Sequence, residues 1–243
     1  MADEIFEHPR LAAVYDPLEG DRGDLESYAA IVEELGAARV LDLGCGTGTF
    51  ALLLADRGVH AVGVDPAGGS LRVARSKPGS ERVQWIHGDA TTLPSTLQVD
   101  AATMTANVAQ AIVEPKAWEA ALNGVFAALR PGGTLVFETR DPADRGWERW
   151  TKARSHTVTD VRGVGAVESW VELTDVTWPL VSFRWTYVFA DDGEMLTSDS
   201  TLRFRDREEV AETLTRHGYV VDDVRDAPDR PGRELVFLAR RPE

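Results

Sequence analysis

A single cysteine, Cys45, stands in a chain of 243 residues, which excludes an intramolecular disulfide and a cysteine-built zinc site. The five histidines are dispersed without HExxH spacing, and no CxxC occurs, so no metal is expected. Lysine is scarce: Lys77, Lys116 and Lys152 are the only three, and the remaining basic residues are arginines scattered along the chain. The 26 basic residues face 40 acidic ones, for a net charge of −14 with histidines neutral. That balance, with no basic run, excludes a binder of phosphate backbones, whose affinity rests on Lys and Arg displacing counterions. No window approaches the ~18 consecutive apolar residues of a membrane-spanning helix. The start, MADEIFEHPR, is acidic where a signal peptide is basic and then apolar, so a cytoplasmic location is expected, with no nucleic-acid or membrane partner.

At 43% hydrophobic and 27% charged residues, the chain has the composition of a globular protein with a sizeable core. Strands and helices alternate along its first part. Asp24 is placed to start a helix that ends at Gly36, followed by a short apolar strand, Arg39 to Leu43. A helix from Thr49 to Arg57 stops at Gly58, and His60 to Val64 reads as the second strand. Further strands are expected at 82–87, 99–104 and 134–139, with Pro115 in the first turn of the intervening helix, where a missing N–H costs little. Five strands with helical crossovers require a mostly parallel sheet covered on both faces.

Beyond Arg140 the pattern becomes long, alternating and aromatic, with five of the seven tryptophans between Trp147 and Trp185 and a turn at Asp191-Asp192-Gly193. This reads as an antiparallel sheet inserted after strand five. A capped helix from Asp206 and two last strands, joined by a loop at 227–233, then complete the core as a hairpin with an antiparallel edge strand. The expected fold is α/β: a doubly wound, mostly parallel seven-stranded sheet with an antiparallel insertion. The expected units are residues 1–140 (N-terminal segment and core), 141–205 (insertion, either a substrate roof or an oligomer interface) and 206–243 (completion of the core).

The most informative stretch is VLDLGCGTGT, from Val40 to Thr49, between the first strand and its helix. Glycines at 44, 46 and 48 permit a tight turn and close approach of a ligand to backbone, and the next helix offers free N–H groups. A dinucleotide fingerprint, GxGxxG, requires a glycine where Thr49 stands, whereas 44, 46 and 48 spell GxGxG. Strand two ends in Gly63-Val64-Asp65-Pro66, which sets a carboxylate at its tip, able to accept two hydroxyls of a ribose diol or to serve as a plain helix cap. Strand three ends in Gly88-Asp89-Ala90.

Taken together, VLDLGCGTG, GVDP, GDATTLP and LRPGG, in this order and spacing, resemble the class I S-adenosylmethionine-dependent methyltransferases over residues 38–140. The resemblance implies S-adenosylmethionine as cofactor. It implies that Gly44, Cys45 and Gly46 pass its methionine part by backbone with Asp42 bracing the loop, that Asp65 holds the ribose, and that Pro66, Asp89 and Ala90 bracket adenine. Asn107, with Val108 behind it, is then beside the sulfonium, and Cys45 is a small loop residue rather than a nucleophile. Val14-Tyr15-Asp16 resembles the segment whose tyrosine closes over the cofactor carboxylate in small-molecule methyltransferases; the alternative is a turn residue packing its ring on the domain, and Arg22 is a second candidate for that carboxylate.

Ligands bind beyond the carboxyl ends of parallel strands, which nominates Gln110, Glu138 and Arg140 for the acceptor. Glu138 suits an ammonium or a proton, or else a structural pair with Arg140 or Arg145. Trp150, one helical turn from Trp147, could wall the acceptor, although aromatics at that spacing more often pack. No general base is identified, and an amine acceptor needs none. The Asn/Asp-Pro-Pro-Tyr/Phe signature of exocyclic-amine methylation is absent after strand four. An antiparallel excursion after strand five is similar in layout to sugar N-methyltransferases. The resulting expectation is methyl transfer to a small molecule at N or O, with a homodimer through the insertion as a possible assembly. The alternatives are a non-catalytic S-adenosylmethionine-binding module and a nicotinamide oxidoreductase.

Overall fold

The computed structural model describes residues 2–243. Two short helices, α1 (Glu4–Glu7) and α2 (Pro9–Glu19), and then α3 (Asp24–Glu34) precede the first strand. The alternating part runs β1 (Arg39–Leu43), α4 (Thr49–Asp56), β2 (His60–Asp65), α5 (Gly68–Ser76), β3 (Gln84–His87), β4 (Val99–Met104), α6 (Val108–Ala111), α7 (Pro115–Ala128) and β5 (Leu129–Arg140). Pro115 occupies the first turn of α7, as its missing donor dictates. After α8 (Lys152–Ser155) come β6 (Thr157–Val161), β7 (Gly165–Thr177), β8 (Leu180–Phe189) and β9 (Met195–Arg203), then α9 (Arg207–Arg216), β10 (Val220–Asp226) and β11 (Glu234–Arg240). The α9 start is capped by Asp206, whose carboxylate accepts from the Glu209 N–H at 2.7 Å.

The large sheet has seven strands in the order β10-β11-β5-β4-β1-β2-β3, and the small one four, β6-β7-β8-β9, all antiparallel. One expectation is corrected. The antiparallel strand is not at the edge: β11 pairs antiparallel with β5 on one side and with β10 on the other, so β10 is the edge and runs with the parallel strands. The reason is topological. Helix α9 carries the chain back as a crossover before β10, and the hairpin return drops β11 into the slot beside β5.

Period-two alternation sends neighbouring residues to opposite faces. On one face Leu41, Met104, Phe137 and Phe237 pack with Trp118, Leu122 and Leu214; on the other, Val40, Ala101, Val136 and Val236 pack with Tyr28, Phe50 and Leu54. Phe137 stacks on Phe237 at 5.3 Å and meets Trp118 edge-on at 5.7 Å, so truncating it costs about 3–5 kcal/mol. The inserted sheet lays Val161, Val167, Tyr187 and Phe189 on Ile5, Leu11 and Val14 of the N-terminal helices. Ser198 accepts the Ile5 N–H at 3.0 Å, and Arg10 reaches Asp191 and Asp192 in the β8–β9 turn. The parent chain therefore covers the inner face of the insertion. Among the described residues, no helix is long and apolar enough to cross a membrane.

Candidate functional site

The turn after β1 is built by three glycines with positive φ: Gly44 at 74°, Gly46 at 52° and Gly48 at 79°. Two of them are also sterically committed. A Cβ at Gly44 lies 2.4 Å from Val108 Cγ2, and one at Gly48 lies 2.4 Å from the Trp85 ring. A Cβ at Gly46 meets nothing within 4 Å, so the backbone there faces open space that a ligand can approach. Val64 C=O accepts the Gly44 and Cys45 N–H groups at 2.7 and 3.1 Å, which hangs the turn on β2.

Asp65 ends β2 and is buried. Its Oδ2 accepts the Gly46 N–H at 2.7 Å and its Oδ1 the Ala67 N–H at 2.8 Å, so the carboxylate braces the glycine turn. Each oxygen keeps a second lone pair for a hydroxyl. Burial pushes its pKa up while the two N–H donors oppose the rise. Asp42 is 1% exposed; Oδ1 accepts from the Thr103 hydroxyl at 3.0 Å, and Oδ2 has no partner among the described residues. Burial pushes this carboxyl up to about 7. An orphaned buried oxygen beside Gly44 is a vacancy in hydrogen bonding that a cationic ligand group can satisfy. Burial raises the Cys45 thiol well above its ordinary value, which removes it as a nucleophile.

The N-terminal segment docks on this turn through a residue the sequence did not single out. Asp16 accepts from the Thr47 hydroxyl at 2.5 Å and pairs with Lys77 Nζ at 2.6 Å. Its neighbour Tyr15 packs on Phe6 at 5.5 Å between ring centroids, and burial raises its pKa. Arg22 is forked onto Asp24 by Nε and Nη2, both at 2.9 Å, which leaves Nη1 for any other acceptor.

Beyond the carboxyl end of β4 the chain leaves the sheet through Ala106 and Asn107, at φ 57° and 67°, a left-handed pair that asparagine tolerates and alanine does not favour. Glu138 holds this turn. Its Oε1 accepts the Asn107 N–H at 3.2 Å and its Oε2 the Tyr28 hydroxyl. Burial, then the charge of Glu234, pushes Glu138 up to about 7. Pairing with Arg140 or Arg145 does not occur, because Tyr28 on α3 reaches the carboxylate first. Arg140 instead donates Nε–H to Asn107 Oδ1 at 2.8 Å and lies with its guanidinium 5.3 Å from the Trp150 ring. Gln110 is 1% exposed; its Oε1 accepts the Arg140 N–H at 3.0 Å, so it joins α6 to β5 and offers little to a ligand.

Asp42, Gly44, Cys45, Gly46, Asp65, Asn107 and Val108 are thus brought around one turn at the carboxyl edge of the sheet. Pro66 and Asp89 flank it on the β2–β3 side, where Asp65 is in register with His87. Asp89 Oδ1 is already taken by the Thr91 N–H and hydroxyl, at 2.8 and 2.6 Å, which leaves Oδ2 for another donor. Ala90 is buried, with its carbonyl against Gly124 of α7. Trp147 packs on Phe204 at 4.6 Å, whereas Trp150 lines a cavity with Arg140. Among the described residues no group of three or more His, Cys, Asp or Glu is arranged to hold a metal.

Residues 40–133 match a family model described as a methyltransferase domain. The chain is 36% identical over 129 residues to a demethylmenaquinone methyltransferase of Clavibacter sepedonicus, covering 50% of this chain and 51% of that one. It is 34% identical over 120 residues to a cypemycin N-terminal methyltransferase of Streptomyces sp., covering 49% of each. The chain thus spans about half the length of these curated relatives. Over nearly its whole length the fold is that of a methyltransferase from Streptomyces caelestis, with TM-score 0.77, 20% identity and coverage of 98% and 97%. It is also that of an amino pentose methyltransferase of Micromonospora echinaspora, with TM-score 0.72, 24% identity and coverage of 94% and 95%. Residues 40–133 thus carry a methyltransferase domain, and over nearly its whole length the chain has the fold of S-adenosylmethionine-dependent methyltransferases.

Proposed function

We propose that the chain binds S-adenosylmethionine at the β1 turn and transfers its methyl group to a small-molecule acceptor, at nitrogen in preference to oxygen. The observation that carries the cofactor assignment is the orphaned Asp42 Oδ2 beside a glycine turn that is open at Gly46. A cationic amino group passing Gly44 satisfies that oxygen, and the spare lone pairs of Asp65 suit a vicinal diol. When bound, the cofactor supplies an electrophilic methyl on a positively charged sulfur, and the chain's task is to align a nucleophile with it and exclude water.

Preference for nitrogen rests on Glu138. It is the one carboxylate among Thr105, Asn107, Gln110, Glu138 and Arg140 at the ends of β4 and β5, and both its oxygens are engaged by Tyr28 and Asn107. That engagement orients Glu138 toward the protein and makes it a poor acceptor for a hydroxyl proton, whereas an amine can shed its proton on entering the site. The amino pentose methyltransferase of like fold is consistent with this reading. Residues 2–19 and 141–205 form the lid and roof in this proposal, and residues 206–243 complete the floor.

Calorimetric titration with S-adenosylhomocysteine, repeated on Asp65→Ala and with NADH as control, tests the proposal. Binding by the unaltered protein, loss in the variant and silence from NADH support it. NADH binding in its place returns the oxidoreductase alternative, and cofactor binding without turnover of any small amine returns the non-catalytic one.

A further inference from the structure

Beyond β5 and the start of β11 lies a cavity of about 180 Å³ lined by Arg140, Arg149, Arg230 and Arg233, with Trp150, Asp144 and Glu234. Pockets that take a whole small molecule run to about 300–1,000 Å³, so this is a subsite. Its charge is opposite to that of the chain: four guanidiniums face two carboxylates in a protein of net charge −14. The carboxylates are already used. Asp144 pairs with Arg149, and Glu234 pairs with Arg230 at 2.7 Å.

Two guanidiniums keep donors to spare. Arg140 is held by its Nε alone, to Asn107 at 2.8 Å and at 3.7 Å from Glu234, and its two terminal nitrogens donate to no protein group among the described residues. Burial lowers its pKa, Glu234 and Glu138 oppose the fall, and Arg230 and Arg149 add to it. Arg233 has no ion-pair partner among the described residues, yet its backbone is fixed, because its C=O accepts the Asp141 N–H at 2.8 Å and ties the two loops together. Planar forks converging in this way match the oxygens of a phosphoryl group.

We propose that this cavity binds a phosphate or diphosphate group carried by the acceptor, which sets the substrate class as a phosphorylated small molecule. The inference rests on the acceptor lying beyond β4 and β5 as proposed above. Arg140 is the link: one edge of its guanidinium orients Asn107 at the turn, and the other is free for the anion.

The test is calorimetry on the full chain with pyrophosphate, inorganic phosphate and acetate at constant ionic strength, on unaltered protein and on Arg233→Gln and Arg149→Gln. Both side chains are partly or fully exposed, and circular dichroism melting checks that the variants fold. The expected result is binding of pyrophosphate, no measurable binding of acetate, and at least tenfold weaker pyrophosphate binding in each variant with S-adenosylhomocysteine affinity within twofold. Phosphate binding as tightly as pyrophosphate assigns a monophosphate, and weaker binding assigns a diphosphate. Pyrophosphate binding no tighter than acetate, or unchanged in Arg233→Gln, overturns the proposal. Failure of S-adenosylhomocysteine to bind while the arginine variants still lose pyrophosphate sinks the methyltransferase reading and leaves the anion site standing.

Discussion

The Asp16 carboxylate on α2 accepts a 2.5 Å hydrogen bond from the Thr47 hydroxyl inside the glycine turn. The N-terminal segment is therefore fastened to the glycine turn, with Lys77 at 2.6 Å completing the clasp from just beyond α5. Hydrogen bonds to charged groups contribute about 1.5–3 kcal/mol. Asp16→Ala is expected to weaken S-adenosylhomocysteine about tenfold and to speed proteolysis between α2 and α3. Unchanged affinity and unchanged cleavage mean that the clasp does not matter.

Asp65 braces backbone and, in the proposed function, also receives a diol. Asp65→Ala removes acceptors for Gly46 and Ala67 together, so it should lower Tm as well as affinity. For a chain of this size, a loss of about 2 kcal/mol corresponds to a fall of roughly 4–8 °C. A variant that melts with the unaltered protein but loses the ligand would show that Asp65 touches only the ligand.

The pH dependence follows from Asp42. Its folded value of about 7 lies above the ~3.9 of an unfolded chain, so the fold favours the protonated form. That stability is fully present below about pH 4 and is lost as pH rises through 7. The ligand-free Tm should fall between pH 5 and 8, with Glu138 adding to the same trend. Asp42→Asn should be flatter and at least as stable at pH 8. Because a cationic ligand group stabilises the charged form, S-adenosylhomocysteine should bind more tightly as pH rises from 6 to 8, and Asp42→Asn should lose that slope. A slope that survives in the variant rejects the pairing.

Tyr28 donates to Glu138 from the opposite side of the sheet edge. Tyr28→Phe leaves a buried carboxylate oxygen unsatisfied, at a cost of about 1–3 kcal/mol. The loss should grow with pH through about 7, because the missing donor matters most to the ionised form. Thermal melts of the two proteins at pH 5.5 and 8 measure it, and an equal deficit at both values contradicts the assignment.

Short-range features were legible in the sequence. Gly44, Gly46 and Gly48 announce a turn that no other residue adopts without strain, Asp65 closes an apolar strand, and Pro115 and Asp206 mark helix starts. Features that depend on distant pairs were not. Asp16 and Thr47 are 31 positions apart, and Tyr28 and Glu138 are 110 apart. Glu138 was read as suited to an ammonium or a proton, or else to a pair with Arg140 or Arg145, and only the packing of α3 on the sheet brings the Tyr28 hydroxyl to it. Asn107 carries a local signal, tolerance of positive φ, but nothing local says that Ala106 must share it.

Local conformational preference and hydrophobic period are properties of neighbouring residues, so the sequence by itself determined the strand–helix alternation, the glycine turn, the carboxylate at the tip of β2 and the antiparallel insertion. Burial and charge neighbourhood are properties of the assembled sheet. Only the tertiary structure decided that β11 lies between β5 and β10, that Asp42 keeps an orphaned oxygen, that Glu138 is a brace, and that Arg140 at the end of β5 and Arg233 before β11 line one cavity.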